Sequence, residues 1–280
     1  MKRKIILIVL IIMAGLICYP IIFLVSGSFM SSQELRENLG PLLTDYTNAY
    51  ISAGLLPIFP TLKNYVEILL DSPEFFVMFW NSVRLAVPIL AVQLVAGVPA
   101  AWGFAKYQFP LKKVFFTIYL ILMMMPFQVT MLSNYLMLDK LNLINTHLAI
   151  ILPAGFSTFP VFIMYRFFSD IPREIIEAAK IDGAGAMQVF RYMALPIGSA
   201  GIISAMVLGF LECWNLIEQP MTFLSDQDKW PLSLYLPNIT PETAGSAFAS
   251  SIIGLIPAIL VFLAGQDYLE RGIMASAVKE

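Results

Sequence analysis

The chain has 280 residues, of which 59% are hydrophobic and only 13% charged, and its formal net charge is −2. So apolar a chain cannot bury its side chains in one aqueous core, which excludes a soluble globular protein. The small net charge creates no field that would attract a polyanion, and we expect no nucleic acid partner. The apolar runs are long and do not alternate with polar residues, so they predict an all-α integral membrane protein rather than a barrel.

Six apolar stretches are long enough to cross a bilayer as helices. They cover residues 5–27, 76–104, 114–136, 146–167, 197–218 and 250–268. The first stretch follows Lys2-Arg3-Lys4 in the manner of a signal peptide, but it is long enough to span the bilayer, and we expect it to stay uncleaved. Several stretches contain prolines, including Pro126 in the third, which can kink their helices. We treat residues 1–280 as a single transmembrane domain.

Lysine and arginine are concentrated in alternate connections, which predicts the orientation of the spans. With the N-terminus inside, the cytoplasmic segments contain Lys2, Arg3, Lys4, Lys106, Lys112, Lys113, Arg166, Arg173, Lys180, Arg191, Arg271 and Lys279. The outer segments contain Arg36, Lys63, Lys140 and Lys229. We therefore predict that both termini and residues 168–196 face the cytoplasm, and that residues 28–75 and 219–249 lie outside. The apolar and aromatic residues of the first outer segment suggest that it packs against other residues; they are Leu42, Leu43, Tyr46, Tyr50, Leu55 and Leu56.

Residues 168–196 are charged yet have the pattern of ordered structure. Pro172 ends the preceding helix and suits the start of a new one, and Arg173–Ile181 contains good helix formers. The sequence Asp182-Gly183-Ala184-Gly185 predicts a turn in which glycine takes a positive φ. A second helix is expected over residues 186–194, ending at Leu195-Pro196. From the residues alone, this helix–turn–helix could also be an ordinary amphipathic element at the membrane surface.

The same residues match a known motif. Glu177-Ala178-Ala179, Asp182-Gly183-Ala184 and Leu195-Pro196 resemble the EAA loop of ABC-importer permeases. Further likeness is carried by Thr61-Leu62-Lys63-Asn64-Tyr65, Trp80-Asn81-Ser82, Trp214-Asn215 and the tail Gly272–Lys279. These stretches are similar to the carbohydrate group of such permeases, and most of all to the second permease subunit of maltose-type systems. The likeness covers residues 60–280, and residues 31–59 look like an extension.

The resemblance implies a multi-pass permease in the cell membrane of a prokaryote. Residues 168–196, called the coupling loop below, would carry a coupling helix that sits in a groove of a cytoplasmic ABC ATPase. The residues implied in this contact are Glu177, Ala178, Ala179, Asp182, Gly183 and Ala184. Glu177 would meet a basic residue of that groove. Ile176, Ala179 and Ile181 would supply apolar contact.

The implied assembly contains a second homologous permease, two copies of the ATPase, and an extracellular or periplasmic solute-binding protein that delivers a carbohydrate. The chain has no G-x-x-x-x-G-K-[ST] sequence, so ATP and Mg would bind the partner ATPase, and we expect no cofactor in this chain. Its single histidine, His147, lacks partners for metal binding or catalysis, and we expect a transport subunit rather than an enzyme. Three alternatives are a permease of the same architecture for a non-sugar solute, an ion-coupled carrier or channel, and a purely structural membrane scaffold.

Polar residues within the apolar stretches are candidates for a solute pathway, because ionisable groups in hydrocarbon need a cavity or a partner. Glu212, Asn215 and Gln219 are spaced to share one face of the fifth helix, with Trp214 beside them. Sugar hydroxyls need such donors and acceptors, and sugar rings pack on aromatic side chains. On the third span, Gln128 and Asn134 are further candidates. The alternative is a cluster of interhelical hydrogen bonds without a ligand.

The segment 219–249, called the outer loop below, is longer than a connection between helices requires. By resemblance, it faces the solute-binding protein. Asp226, Trp230 and Tyr235 are the candidate contact residues. The alternative is a disordered connector.

Overall fold

The computed structural model describes residues 2–43, 54, 56–235, 240 and 243–277, and all regular structure in these residues is helical. The helices are α1 Lys2–Ser28, α2 Ser32–Leu43, α3 Lys63–Val66, α4 Pro73–Lys106, α5 Lys112–Met124, α6 Phe127–Lys140, α7 Leu148–Gly155, α8 Thr158–Asp170, α9 Arg173–Ile181, α10 Ala186–Ile197, α11 Ser199–Trp214, α12 Glu218–Phe223 and α13 Ala244–Ala277. Of the residues expected to pack in the first outer segment, Tyr46, Tyr50 and Leu55 lie outside the described residues, as do residues 278–279 of the tail. Leu56 has 80% of its surface exposed, so the expected packing is wrong for that residue.

Four helical segments of the described chain are long and apolar enough to cross a membrane. They are Ile6–Ser28, Pro73–Lys106, Leu148–Asp170 and Ala244–Glu270, which correspond to the first, second, fourth and sixth predicted spans. The third predicted span is a pair of helices, α5 and α6, that meet at an angle. The fifth predicted span corresponds to α11, which meets α10 of the preceding segment at an angle, and the number of spans reaches six if each pair counts as one. The all-α membrane architecture is confirmed, although the third span is not a straight helix.

The third predicted span is broken where α5 meets α6, and the two helices are bent by 104°. Pro126 lacks a backbone N–H, and its ring disfavours helical geometry for the residue before it. Met125 is accordingly extended, with φ −76° and ψ 119°. The proline that was expected to kink this span therefore divides it into two helices.

Helix α11, which forms most of the fifth predicted span, is bent by 67° from α10, and Gly198 forms the joint between them. A Cβ at Gly198 would lie 2.3 Å from the ring of Phe168, so the joint requires a residue without a side chain. At its other end, α11 stops at Trp214 rather than at residue 218. The side-chain Nδ2 of Asn215 donates a hydrogen bond of 2.9 Å to the carbonyl of Leu211, which satisfies one carbonyl at the end of the helix.

A π turn, Glu67–Asp71, directly follows α3, and two longer helices contain one inside them: Gln93–Gly97 in α4 and Phe190–Ala194 in α10. Each of these two internal π turns ends two residues before a proline, Pro99 or Pro196. A π turn is wider than an α turn, which gives room for the proline ring, and the helix continues. The expectation that the second helix of the coupling loop ends at Leu195-Pro196 is therefore wrong, since α10 passes through Pro196 to Ile197.

Close contacts divide the chain into two compact units, each described by itself. The first contains Met1–Phe79 and Tyr235–Ile256. Its buried apolar residues include Met30, Leu35 and Ala244.

The second unit contains Trp80–Leu234 and Pro257–Glu280. Its largest apolar cluster joins α4, α8 and the coupling loop. The buried members are Val98, Ala101, Trp102, Val161, Met164, Phe168, Ile171, Ala179, Val189, Ala194 and Ala205. The coupling loop is thus part of the folded core of this unit.

Candidate functional site

The coupling loop folds as two helices joined by a tight turn, as its residue pattern predicts. Helix α9 is followed by Gly183, whose φ of +84° lies in the left-handed region that glycine adopts at little cost. At the start of α10, the side-chain Oε1 of Gln188 accepts a hydrogen bond of 2.8 Å from the backbone N–H of Gly185. The local sequence therefore determines both ends of the turn.

One face of α9 packs on the chain's own core. Ala179 is buried in the apolar cluster that contains Trp102 and Phe168, and the half-buried Ile176 packs against the same cluster. Most of the surface of Ala179 and part of that of Ile176 are therefore covered by this chain's own core, which leaves less of them for the apolar contact expected with an ATPase. Ile181 has 85% of its surface exposed and is available for contact with a partner.

A groove of about 570 Å³ runs between α9 and α10. It is lined by Ile175, Ala178, Ala179, Asp182, Gly183, Ala184, Gln188, Tyr192 and Met193. The groove thus gathers every coupling residue indicated by the motif except Glu177. Tyr192 and the nearby Met187 are large exposed side chains on α10. The motif does not reveal them, because they lie between Ala184 and Leu195, where it specifies no residue.

Glu177 lines a second cavity, of about 290 Å³, together with Lys106, Arg173 and Lys180. Its side chain is exposed, and it forms no hydrogen bond or ion pair with the residues that the structure describes. Its carboxylate is therefore free to meet a basic group on another protein.

Lys106 secures the corner at which the chain enters α9. Its ammonium donates hydrogen bonds to the carbonyl of Ser169 at 3.2 Å and to that of Ile171 at 2.5 Å. These carbonyls lie at the C-terminal end of α8, where backbone acceptors lack helical partners and a positive charge is favourable. The end of α4 thereby holds the start of the coupling loop in place.

A cavity of about 540 Å³ in the second unit gathers polar side chains from several helices. Its polar lining consists of Gln93, Thr130, Asn134, Ser157, Thr158, Glu212 and Gln219. Phe127, Phe156 and Phe159 line the same cavity. Asn134 and Glu212, both candidates from the sequence, are thus brought together. Gln219 joins them from α12, so the predicted single stripe along one helix is wrong, because α11 ends before that residue.

Three other pathway candidates lie outside the lining of this cavity. Gln128 donates a hydrogen bond of 2.5 Å from Nε2 to Oε1 of Glu218, and Asn215 bonds back to its own helix. Trp214 is 6% exposed, and its ring stacks on Phe210 with centroids 5.4 Å apart. These side chains hold helices and helix ends together.

Gln93 is a lining residue that the sequence analysis did not single out. It is 3% exposed and lies at the start of the π turn in α4. Its Nε2 donates a hydrogen bond of 3.0 Å to the carbonyl of Ala154, and its Oε1 has no donor among the described residues. The sequence feature that could have revealed Gln93 is a single amide side chain within the apolar stretch 76–104.

The described part of the outer loop is tied down by Asn145, which has a φ of +61° in the turn between α6 and α7. Its Oδ1 accepts hydrogen bonds of 3.1 Å from the backbone N–H groups of Ser225 and Asp226. Lys229 Nζ donates to the Asn145 carbonyl at 2.9 Å and to Oδ2 of Asp226 at 2.8 Å. Hydrogen bonds from Lys229 and Asn145 lower the pKa of Asp226. This part of the loop is therefore a defined structure, and the alternative of a disordered connector is wrong for it.

Two of the three candidate contact residues in the outer loop, Trp230 and Tyr235, pack against other residues of this chain. Trp230 is half-buried, and its Nε1 donates a hydrogen bond of 3.2 Å to the carbonyl of Leu224. The ring of Tyr235 meets that of Phe75 edge-on, with centroids 5.5 Å apart. Burial, together with the carboxylate of Glu74, raises the pKa of Tyr235. Only Asp226 is exposed, within the tip formed by residues 225–228.

Several described helices are long and apolar enough to cross a membrane, and a cavity with polar side chains lies among the helices of the second unit. The chain belongs to the family of binding-protein-dependent transport system inner membrane components, whose model matches residues 93–275. It is therefore a multi-pass membrane protein and a transport permease subunit.

Individual relatives agree with this assignment. The arabinooligosaccharides transport system permease of Halalkalibacterium halodurans is 28% identical over 264 residues, which cover 93% of this chain and 91% of the relative. A protein of Pyrococcus horikoshii described as a probable ABC transporter permease is 33% identical, over 81% of this chain and 84% of its own. The lactose transport system permease of Rhizobium radiobacter is 27% identical, over 96% and 93%.

A solved structure shares the fold. One chain in the crystal structure of a bacterial ABC transporter involved in the import of the acidic polysaccharide alginate superposes with a TM-score of 0.79. The match covers 95% of this chain and 96% of the other, at 23% sequence identity.

Proposed function

We propose that this chain is the permease subunit of an ATP-driven importer that carries a carbohydrate, in particular an oligosaccharide. The observation that supports a sugar is the cavity around Glu212 and Asn134, in which amide, hydroxyl and carboxylate groups alternate with phenylalanine rings. Such groups pair with sugar hydroxyls, and the rings offer flat apolar surfaces to sugar rings. The names of the arabinooligosaccharide and lactose permeases support the same class of solute.

A phosphorylated polyol is the second candidate. The sn-glycerol-3-phosphate transport system permease of Yersinia pestis is 28% identical over 211 residues, which cover 74% of this chain and 75% of the relative. None of the described residues that line the cavity is lysine or arginine, so this chain offers a phosphate no cation there. A neutral carbohydrate fits the lining better.

Transport is driven from the coupling loop, which docks in a cytoplasmic ABC ATPase. The free carboxylate of Glu177, the exposed Ile181 and the groove edged by Tyr192 are the surfaces that such a partner contacts. ATP and Mg are bound by two copies of the ATPase, and a second homologous permease completes the pathway. The excess of lysine and arginine in the same predicted segments supports a cytoplasmic position for both termini and for the coupling loop.

The outer loop receives the solute-binding protein. Its tip, residues 225–228, is exposed and carries the carboxylates of Asp226 and Asp228, while the flanking residues are fixed by hydrogen bonds. An ordered acidic tip of this kind suits a partner with a basic rim.

Photo-cross-linking of the complete transporter in its native cells tests which side of the membrane the outer loop and the coupling loop face. A photoreactive amino acid at Gln227, in the tip of the outer loop, is expected to capture a solute-binding protein. The same group at the exposed Gln188, in the groove of the coupling loop, is expected to capture an ABC ATPase. Mass spectrometry of the cross-linked products identifies both proteins. Capture of the ATPase from Gln227, or of the binding protein from Gln188, would contradict the proposed orientation.

The solute pathway is tested with Glu212→Gln and Asn134→Ala. The solute is first identified by mass spectrometry of the purified complex with its binding protein, and a non-carbohydrate ligand there would overturn the sugar assignment. Glu212→Gln replaces a charged acceptor of solute hydroxyls by a neutral amide, and Asn134→Ala removes an amide, at a cost of about 1–3 kcal/mol for each weakened or lost hydrogen bond. We expect the KM for uptake of that solute to rise about five- to a hundredfold in proteoliposomes, with ATP hydrolysis still coupled.

Asn215→Ala is the matched control, because Asn215 lies just beyond α11 and its side chain bonds only to the Leu211 carbonyl among the described residues. Its KM is expected to remain that of the unmodified transporter. An unchanged KM in Glu212→Gln and Asn134→Ala alike would mean that the cavity is not part of the pathway.

A further inference from the structure

The motif Trp80-Asn81-Ser82 has no part in the coupling loop or the cavity, yet two of its side chains are almost completely buried. Asn81 and Ser82 are each 2% exposed. The Nδ2 of Asn81 donates hydrogen bonds to the carbonyl of Asp228 at 2.7 Å and to that of Trp230 at 3.1 Å. The Oγ of Ser82 accepts a hydrogen bond of 2.8 Å from the N–H of Leu232. Together they fix alternate backbone positions of the outer loop.

The motif Thr61-Leu62-Lys63-Asn64-Tyr65 makes the same kind of hydrogen bonds in the first unit. Asn64 is 3% exposed, and its Nδ2 donates to the carbonyls of Ser28 at 2.8 Å and Met30 at 3.0 Å. In both cases one amide group bridges two carbonyls that are two residues apart. A primary amide supplies two N–H donors, whereas a carboxylate of the same shape supplies none. Each asparagine is therefore suited to holding a segment of main chain.

The tip of the outer loop is held from both sides. On one side Asn81 and Ser82 hold residues 228–232, and on the other Asn145 bonds to the backbone of residues 225 and 226. Between these tethers, residues 225–228 are exposed. A loop that is already ordered loses less conformational entropy when a partner binds it. Exposed side chains are thus presented on a main chain that is fixed at its edges, and Lys229 holds one of them, that of Asp226.

We propose that Asn81 and Ser82 are positioning residues, which hold residues 225–228 in the shape that the solute-binding protein recognises. The inference rests on the proposed function, since it takes the outer loop as the docking site of that protein. The two residues do not touch the partner. They act through the backbone of Asp228, Trp230 and Leu232.

The decisive variants are Ser82→Ala and Ser82→Thr in the complete transporter, reconstituted in nanodiscs. The alanine removes the acceptor of the Leu232 N–H, whereas the threonine keeps it. Amide exchange of the peptide that contains Leu232 is expected to be about tenfold faster in Ser82→Ala and unchanged in Ser82→Thr. Asn81→Asp, which replaces two donors by acceptors, is expected to accelerate exchange over residues 226–232.

The functional readout is the stimulation of ATP hydrolysis by the solute-binding protein recovered in the cross-linking experiment. In Ser82→Ala and Asn81→Asp the concentration of that protein needed for half-maximal stimulation should rise about tenfold, with the maximal rate and the basal rate unchanged. Ser82→Thr should restore the original value. Asn64→Asp is the matched control, because it breaks the equivalent clamp in the first unit and should leave the exchange of residues 226–232 unaltered.

Unchanged exchange at Leu232 in Ser82→Ala would overturn the inference, and so would faster exchange without any change in the half-maximal concentration. Failure of the proposed function has a different signature. In that case the unmodified transporter itself shows no stimulation by the binding protein, while the exchange results still report whether the clamps hold the loop.

Discussion

Glu177→Lys is expected to abolish transport while the protein still inserts and folds. Glu177 is exposed and unpaired within the described chain, so its replacement removes no internal contact. At the proposed interface the change replaces an attractive pair by two like charges, at a cost of about 2–5 kcal/mol in ATPase docking. Uptake into proteoliposomes should fall to background, and the ATPase should be lost when the complex is purified by a tag on this chain.

Glu174→Lys is the control for charge alone. Glu174 is exposed on the same helix, but it lines neither the groove nor the cavity at Glu177. The control should retain the ATPase and most of its uptake. Full uptake and full recovery of the ATPase in Glu177→Lys would show that α9 is not the coupling helix.

Gly198→Ala is expected to damage the joint between the coupling loop and the fifth span. The added Cβ would lie 2.3 Å from the ring of Phe168, which is completely buried, and 3.0 Å from the carbonyl of Ala194. Neither neighbour can move without disturbing the core, and overpacking of this kind costs about 1–3 kcal/mol. We expect a lower melting temperature in detergent, together with reduced uptake because the angle between α10 and α11 must change.

Gly103→Ala is the control that separates the steric clash at Gly198 from the general effect of replacing a glycine by alanine. Gly103 lies in α4, and a Cβ there meets no atom within 4 Å. Alanine favours the helix over glycine by about 1 kcal/mol, so this variant should melt at the same or a higher temperature. A Gly198→Ala protein that melts and transports as the unmodified chain does would show that the joint tolerates a side chain.

Much of the local structure could be predicted because its causes lie close together in the sequence. Pro172 and Gly183 determine the start of α9 and the turn after it, and both are confirmed. The membrane class follows from composition, which needs no knowledge of packing. The break at Pro126 was indicated as a kink, but the size of the bend depends on what α5 and α6 pack against, and the sequence does not contain that information.

The errors arise where a distant contact decides the outcome. The stripe of Glu212, Asn215 and Gln219 assumed a continuous helix, but Asn215 caps that helix through the Leu211 carbonyl. Ala179 looked available to a partner, since the motif does not show that Trp102 lies against its side of α9. Tertiary packing determines which face of a helix is covered, and residue spacing alone cannot.

The π turn in α4 has a consequence for the direction of everything that follows it. Because it contains one residue more than an α turn, the remainder of the helix is rotated by roughly 100° compared with an uninterrupted α-helix. Trp102 and Lys106 both come after the turn, and they meet Phe168 and the carbonyl of Ile171 only in this rotated register. One extra residue in the π turn that begins at Gln93 thus determines the direction in which Trp102 and Lys106, further along the same helix, point.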